Sequence, residues 1–228
     1  MKVFALLVTT AAGMAGASGN MDRQAAVAAN DQAVGALHQN QLGRAQLLAQ
    51  QALDLARQAV PPGDPLIAVT LNNLAQSYRF EGHYLEAERD YREAIGIWEA
   101  ALGKQHPDTA RGLMNLAALD HERGRDGGAE DLYRRADAIF EASYGKDDPL
   151  ALVARNELAE VLRGEGRVSE SERLSRETLE PLEKSLGDRD PRVIRALANY
   201  ARLLDQTRHA PEAAAVRRRI RGLAAGFR

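Results

Sequence analysis

The chain contains no cysteine. Disulfides, thiol nucleophiles and cysteine-ligated metals are therefore excluded at once. Aromatic residues are scarce, at 5% of 228 positions, so large rings cannot dominate the core. Lysine is rare as well: of 30 basic residues only Lys2, Lys104, Lys146 and Lys184 are lysine. No excess of one charge exists either. Thirty basic and 32 acidic residues leave a formal net charge of −2, which argues against bulk binding to nucleic acid. Enzyme signatures are missing too. No serine sits in a GxSxG elbow, no glycine-rich loop ends in Gly-Lys-Ser or Gly-Lys-Thr, and the five histidines form no HExxH pair. Non-enzymatic function without a cofactor or metal is the expectation. What the chain does have is alanine, 41 copies of it, within an ordinary globular mixture of 45% hydrophobic and 27% charged residues. Its core must be assembled from many small contacts.

Residues 3–21 carry no charge, and Lys2 with the amino terminus precedes them. The apolar run Val3–Val8 leads into small residues, and Ala15-Gly16-Ala17 fits a small-x-small cleavage pattern. Residues 1–17 thus read as a cleaved secretory signal, with the mature chain starting at Ser18 in the periplasm or outside the cell. The alternative is an uncleaved anchor or a misjudged start codon. The segment is short and polar for a stable membrane span. Residues 18–22 read as a short linker.

A period of 42 residues organises the remainder. Pro65, Pro107, Pro149 and Pro191 are spaced by that step, three of them behind aspartate (Asp64, Asp148, Asp190) and one behind His106. An aspartate accepts orphan N–H groups at a helix N-cap, and proline loses nothing at the first helical position. Ala75, Ala117, Ala159 and Ala201 share one column, and Gly82, Gly124 and Gly166 share another. Glycine suits the left-handed residue that ends a helix. Each unit reads as helix, glycine turn, helix, glycine loop. In one unit the helices run from about Pro65 to Glu81 and from Tyr84 to Leu102, with Leu71, Leu74, Ala75 and Tyr78 on one face. A fainter copy precedes, its first helix covering roughly Arg23 to Gln39. Five units result, about 23–64, 65–106, 107–148, 149–190 and 191–225, in one all-α solenoid over 23–228. No unit can bury its apolar face alone, but a stack can.

The LNNLA segment at 71–75, the GxYxEAE segment around Tyr84 and the LG loop running into His-Pro or Asp-Pro resemble the tetratricopeptide repeat family. They resemble in particular its longer variety, found in kinesin light chains and many bacterial proteins. The resemblance implies a right-handed superhelix of antiparallel helix pairs that binds an extended peptide or a partner protein in a concave groove. Carried over column by column, the groove holds Asn73, Asn115 and Asn199, with Glu157 and Asp31 as departures. Arg111 and Arg195 lie one turn earlier, and Gln76, Glu160 and Arg202 one turn later. An amide both donates to and accepts from a peptide backbone, and a guanidinium grips a carboxylate with two bonds. The asparagines serve either this groove or hydrogen bonding between repeats, and the arginines serve either ligand or solvent. Glu157 and Glu160 interrupt any positive stripe, so a groove of mixed charge is expected. Self-association of the stack, giving a homo-oligomer in envelope assembly or regulation, is the second functional reading.

Three local features stand apart. Arg217, Arg218, Arg219 and Arg221 on the last helix read as a solubilising cap, or as a contact for acidic lipid or an acidic partner. Asp126-Gly127-Gly128 replaces Tyr84-Leu85-Glu86 and predicts a late or frayed helix start. Pro181 inside a helix predicts a kink. His106 and His83 read as structural, and a metal at His121-Glu122 is the remotest reading.

Overall fold

The computed structural model describes residues 17–225. Ten helices follow one another, and no strand occurs among the described residues: α1 (Ala17–His38), α2 (Leu42–Ala59), α3 (Pro65–Glu81), α4 (Tyr84–Ala101), α5 (Pro107–Glu122), α6 (Asp126–Tyr144), α7 (Pro149–Gly164), α8 (Val168–Leu186), α9 (Pro191–Gln206) and α10 (Ala210–Ala225). None of them is long and apolar enough to cross a membrane. The chain divides into two compact units, one ending at Leu119 and the next starting at Asp120. In the first, α1 packs on α2, α2 on α3 and α3 on α4, with α1 also touching α3. In the second, contacts run from α6 to α7, α8, α9 and α10 in turn, with α7 also touching α9.

The punctuation works as its chemistry dictates. Asp64, Asp148 and Asp190 each accept the N–H two residues on, at 2.8 Å. His106 does the same duty through Nδ1, which accepts from Asp108 N at 3.2 Å. The turn inside each pair needs one left-handed residue. Asn40, Gly82, Gly124, Gly166 and Arg208 fill that column with φ of 58°, 83°, 71°, 79° and 63°. Asparagine tolerates this conformation. Arginine is strained there by about 1–2 kcal/mol.

Alanine columns set the helix spacing. Ala33, Ala75, Ala117, Ala159 and Ala201 are all buried, as are Ala45, Ala87, Ala129 and Ala213. Ser171 completes the second column, and its hydroxyl donates to Ala159 O at 2.6 Å, so the polar atom is satisfied in the core. The few aromatics fill two columns beside these: Tyr91 with Tyr133, and Trp98 with Phe140, all at most 2% exposed.

Two expectations need correction, and Pro181 lies inside its helix as read from the sequence. Residues 18–22 are helical, because α1 starts at Ala17 and not near Arg23. The signal assignment itself, residues 1–17, lies outside the described residues except for Ala17. Helix α6 starts at Asp126 without delay. Its start is held from outside: His121 Nδ1 lies 2.6 Å from Asp126 Oδ1, and Arg125 is bonded to Asp120. A Cβ on Gly128 would stand 3.3 Å from Asp120 Oδ2, so the glycine lets this arrangement close. Helix α8 runs on through Pro181 to Leu186. Packing of α8 on both α7 and α9, with Leu182 fully buried, outweighs the lost N–H.

Gly112 marks the closest approach in the first unit. A Cβ there would lie 2.8 Å from Ile95 Cγ1 and 2.9 Å from Trp98 Cζ3. Gly96, on the exposed side of α4, has nothing within 4 Å. Gly112→Ala is therefore expected to destabilise by about 1–3 kcal/mol through overpacking. Gly96→Ala should stabilise by roughly 0.5–1 kcal/mol. Thermal melts followed by circular dichroism test both, and equal shifts of the same sign would contradict this packing.

Candidate partner-binding site

The asparagine column of the first unit is buried. Asn73 is 0% and Asn115 5% exposed. Asn73 Nδ2 donates to Asn30 Oδ1 at 2.8 Å, and Asn115 Nδ2 donates to Asn72 Oδ1 at 2.9 Å. Asn72 Nδ2 in turn donates to Asn73 Oδ1 at 3.3 Å. Four amides thus form one chain across α1, α3 and α5. Each amide supplies both a donor and an acceptor, which is why asparagine can continue such a chain where an ionised carboxylate, which only accepts, would end it. Asn30 and Asn72 were not among the residues singled out from sequence. Their own 42-residue spacing, one position ahead of the Asn73 column, was the available signal. Gln76 is also fully buried. Arg111 keeps part of its side chain in solvent, with Nε 3.9 Å from Asp108 Oδ1.

In the second unit the same columns are charged and paired. Glu157 meets Arg195 at 2.8 Å and also accepts from Asn156 Nδ2 at 3.0 Å. Glu160 accepts two bonds from Arg163, at 2.8 and 2.9 Å, and lies 3.0 Å from Arg202. Arg202 also donates to Asn199 Oδ1 at 2.5 Å. Burial works against the Glu160 carboxylate, but the Arg163 hydrogen bond and the Arg202 and Arg163 charges outweigh it and hold its pKa below the ordinary value. The negative charge is therefore fixed at any physiological pH. Its stabilising effect is lost only as pH falls through that lowered value. The two guanidiniums remain reachable: the Arg195 side chain is 39% exposed and that of Arg202 51%.

The structure thus sorts the nine candidates. Asn73, Gln76, Asn115 and Asn199 are buried. Glu157 and Glu160 are part-buried counter-ions. Arg195 and Arg202 keep much of their side chains in solvent, while the Arg111 side chain is 22% exposed with its Nε buried. This arrangement suits recognition by hydrogen bonds and charge. His121, the remotest metal candidate, is tied to Asp126, and no group of three metal-binding side chains occurs among the described residues.

Two family models described as tetratricopeptide repeat match the chain, over residues 66–142 and 152–192. The chain belongs to the tetratricopeptide repeat family. No curated protein sequence matches it. Solved structures with the TPR fold do. One is a kinesin light chain protein of nearly identical TPR-like repeats from Podosopora anserina, 20% identical, with a TM-score of 0.69 over 90% of this chain and 98% of that one. Another is BtubC (BKLC) from P. vanneervenii, also 20% identical, with a TM-score of 0.69 over 93% of each chain. A third is the apo form of RapI, 12% identical, with a TM-score of 0.70 over 89% of this chain and 71% of that one. At these identities the likeness establishes the all-α TPR fold and nothing finer.

The amide chain makes a stability claim that a groove role would not. Asn73→Ala removes one link and leaves the Asn30 and Asn72 amides buried without their partner. A loss of about 1–3 kcal/mol in unfolding free energy is expected, read by urea denaturation. An unchanged midpoint would show that the chain of amides carries no weight in folding.

Proposed function

We propose that the protein is a non-enzymatic scaffold that binds an extended peptide or a partner protein through the first-helix columns of its repeats. The TPR fold is a general scaffold for protein–protein contact. The observation that supports the finer reading is the partial exposure of Arg195 and Arg202 above buried counter-ions. A guanidinium already oriented by a carboxylate loses little rotamer freedom when it takes a second acceptor from a ligand. Arg111 offers the same chemistry in the first unit. Of the buried asparagines, Asn199 accepts from Arg202, while Asn73 and Asn115 are taken up by other amides, so the arginines and not the asparagines meet the ligand.

We further propose that the protein works outside the cytoplasm. Lys2, the apolar run Val3–Val8 and the small residues Ala15-Gly16-Ala17 support export with removal of residues 1–17.

Two measurements test these readings. Partners crosslinked in the native cell should be recovered at least about tenfold less well by an Arg111→Ala, Arg195→Ala variant, since the loss of even one of the two charge-assisted contacts is worth about that factor. Full recovery by a variant that keeps its helical circular dichroism would remove the groove reading. For export, intact mass of secreted or periplasmic material should give a chain beginning at Ser18 or within a few residues of it. Full-length chain confined to the cytosol would refute that assignment.

A further inference from the structure

The repeat carries a lateral register between the first helices of successive pairs. From α1 to α3, Arg23 reaches Asp64, 41 residues on, and Asn30 accepts from Asn73, 43 on. From α7 to α9, Glu157 meets Arg195, 38 residues on, and Glu160 meets Arg202, 42 on. Arg163 donates to Gln206, 43 on. The columns that receive contact from the preceding helix include those of Asp64, Asn73 and Gln206.

On α1 those receiving columns hold Asp22, Asp31 and His38, and all three are exposed. Asp22 and Asp31 have no partner among the described residues. The face of α1 between Asp22 and Asp31, which flank it on opposite edges, is open and mostly small: Met21 is 70% exposed, and Ala25 and Ala28 are exposed with it. Ala28 shares its column with Gly112, whose face lies against Ile95 and Trp98 of the helix before it. Arg23 points the other way, to Asp64. At the far end of the chain, α9 holds Arg202 and Asp205 in the columns that reach forward, with Arg192 beside Pro191; each already has an ion pair within the chain, to Glu160, Arg217 and Asp190, which an incoming group would share.

We infer that α1 of a second copy docks on the last helix pair of the first, so that chains stack end to end with the offset the repeat already uses. One more 42-residue step sets His38 of the incoming copy against Asp205, the column pair of Arg163 and Gln206, and by offset alone brings Asp22 toward Arg192 and Asp31 toward Arg202. The implied separations, 40, 39 and 43 residues, fall inside the 38–43 observed within the chain. Each pairing sets acid against base. A junction of this kind joins two different surfaces, so it propagates into a longer assembly and does not close as a two-fold dimer. Its charges are exposed at the rim, which makes it sensitive to salt. Arg202 belongs to the groove reading as well, but self-association of the purified chain needs no peptide or partner protein, so the two readings fail separately.

Sedimentation of the full chain tests this. At about 50 mM salt the weight-average mass should climb with concentration from the 24.8 kDa monomer, and it should fall back at about 500 mM. Asp31→Arg alone and Arg202→Asp alone should each weaken association about tenfold or more. Mixed in equal amounts, the two variants should associate again, because each altered end then meets its opposite. Circular dichroism confirms that both stay helical. A wild-type chain that remains monomeric at every concentration overturns the inference. So does association that neither substitution changes, or a mixture that stays as weak as its components.

Discussion

Helix pairs in this chain hold together only if their backbones come close, and alanine sets the distance. Columns headed by Ala33 and Ala45 recur through the repeats at essentially zero exposure. At Gly112 even a methyl group is too large, because Trp98 and Ile95 occupy its place. The large side chains then have defined gaps to fill, which is why so few aromatics suffice. Trp98 and Phe140 occupy one column and Tyr91 and Tyr133 another. A core of this type has little slack. Its small-residue positions tolerate serine only when the hydroxyl finds a carbonyl, as Ser171 does.

Close approach also explains where buried polarity is allowed. In most units the column of Leu71, Leu113 and Leu197 and that of Leu53, Ile95 and Leu179 are aliphatic. Between α6 and α7 both change together, to Arg155 and Asp137, which pair at 2.9 Å. Burial raises the Asp137 pKa, and the Arg155 hydrogen bond and charge offset only part of that. Paired substitution of this sort replaces an apolar contact with one that has a single geometry, at some cost in desolvation. Asp90 shows a half-satisfied case, paired with Arg89 through one oxygen only. Its column is otherwise Leu48, Leu132, Leu174 and Val216. Oδ1 accepts from Arg89 at 2.8 Å, but Oδ2 is buried with no hydrogen bond. Burial accordingly pushes its pKa up, with Arg89 opposing. The folded chain then holds that proton more tightly than the unfolded one, so Asp90 favours folding less as pH rises through the raised value.

The period of 42 made helix order, caps and alanine columns legible from the residues alone. Asp64-Pro65 and its copies announce helix starts through local chemistry that needs no tertiary information. The same local reasoning misjudged Asp126-Gly127-Gly128. Helix propensity there is overruled by side chains from the preceding helix, His121 and Asp120. The candidate site was legible by column but not by role. Asn73 and Arg195 stand in neighbouring columns of the same face, yet one is sealed in an amide chain and the other is half in solvent. Which column faces a neighbouring helix depends on the lateral register. A single chain reveals that register only through its contacts. Arg57–Glu93 and Glu183–Arg219 make the point, since they are the same two columns with the signs exchanged.

Self-pairing has a consequence for recognition that net charge hides. Near-neutral composition suggests a surface with little electrostatic pull, yet the second unit concentrates Glu157, Glu160, Arg163, Arg195 and Arg202 on adjoining turns. A partner that approaches these groups meets charges already compensated, so long-range steering is weak. Discrimination then comes at close range. On the proposed groove reading, a ligand acceptor would share a guanidinium with Glu157 or Glu160 without clashing with either carboxylate, and an acidic group placed wrongly would meet fixed negative charge. The low Glu160 pKa would keep that penalty in place across physiological pH. Such a surface would select partners by the pattern of their charges more than by the sum.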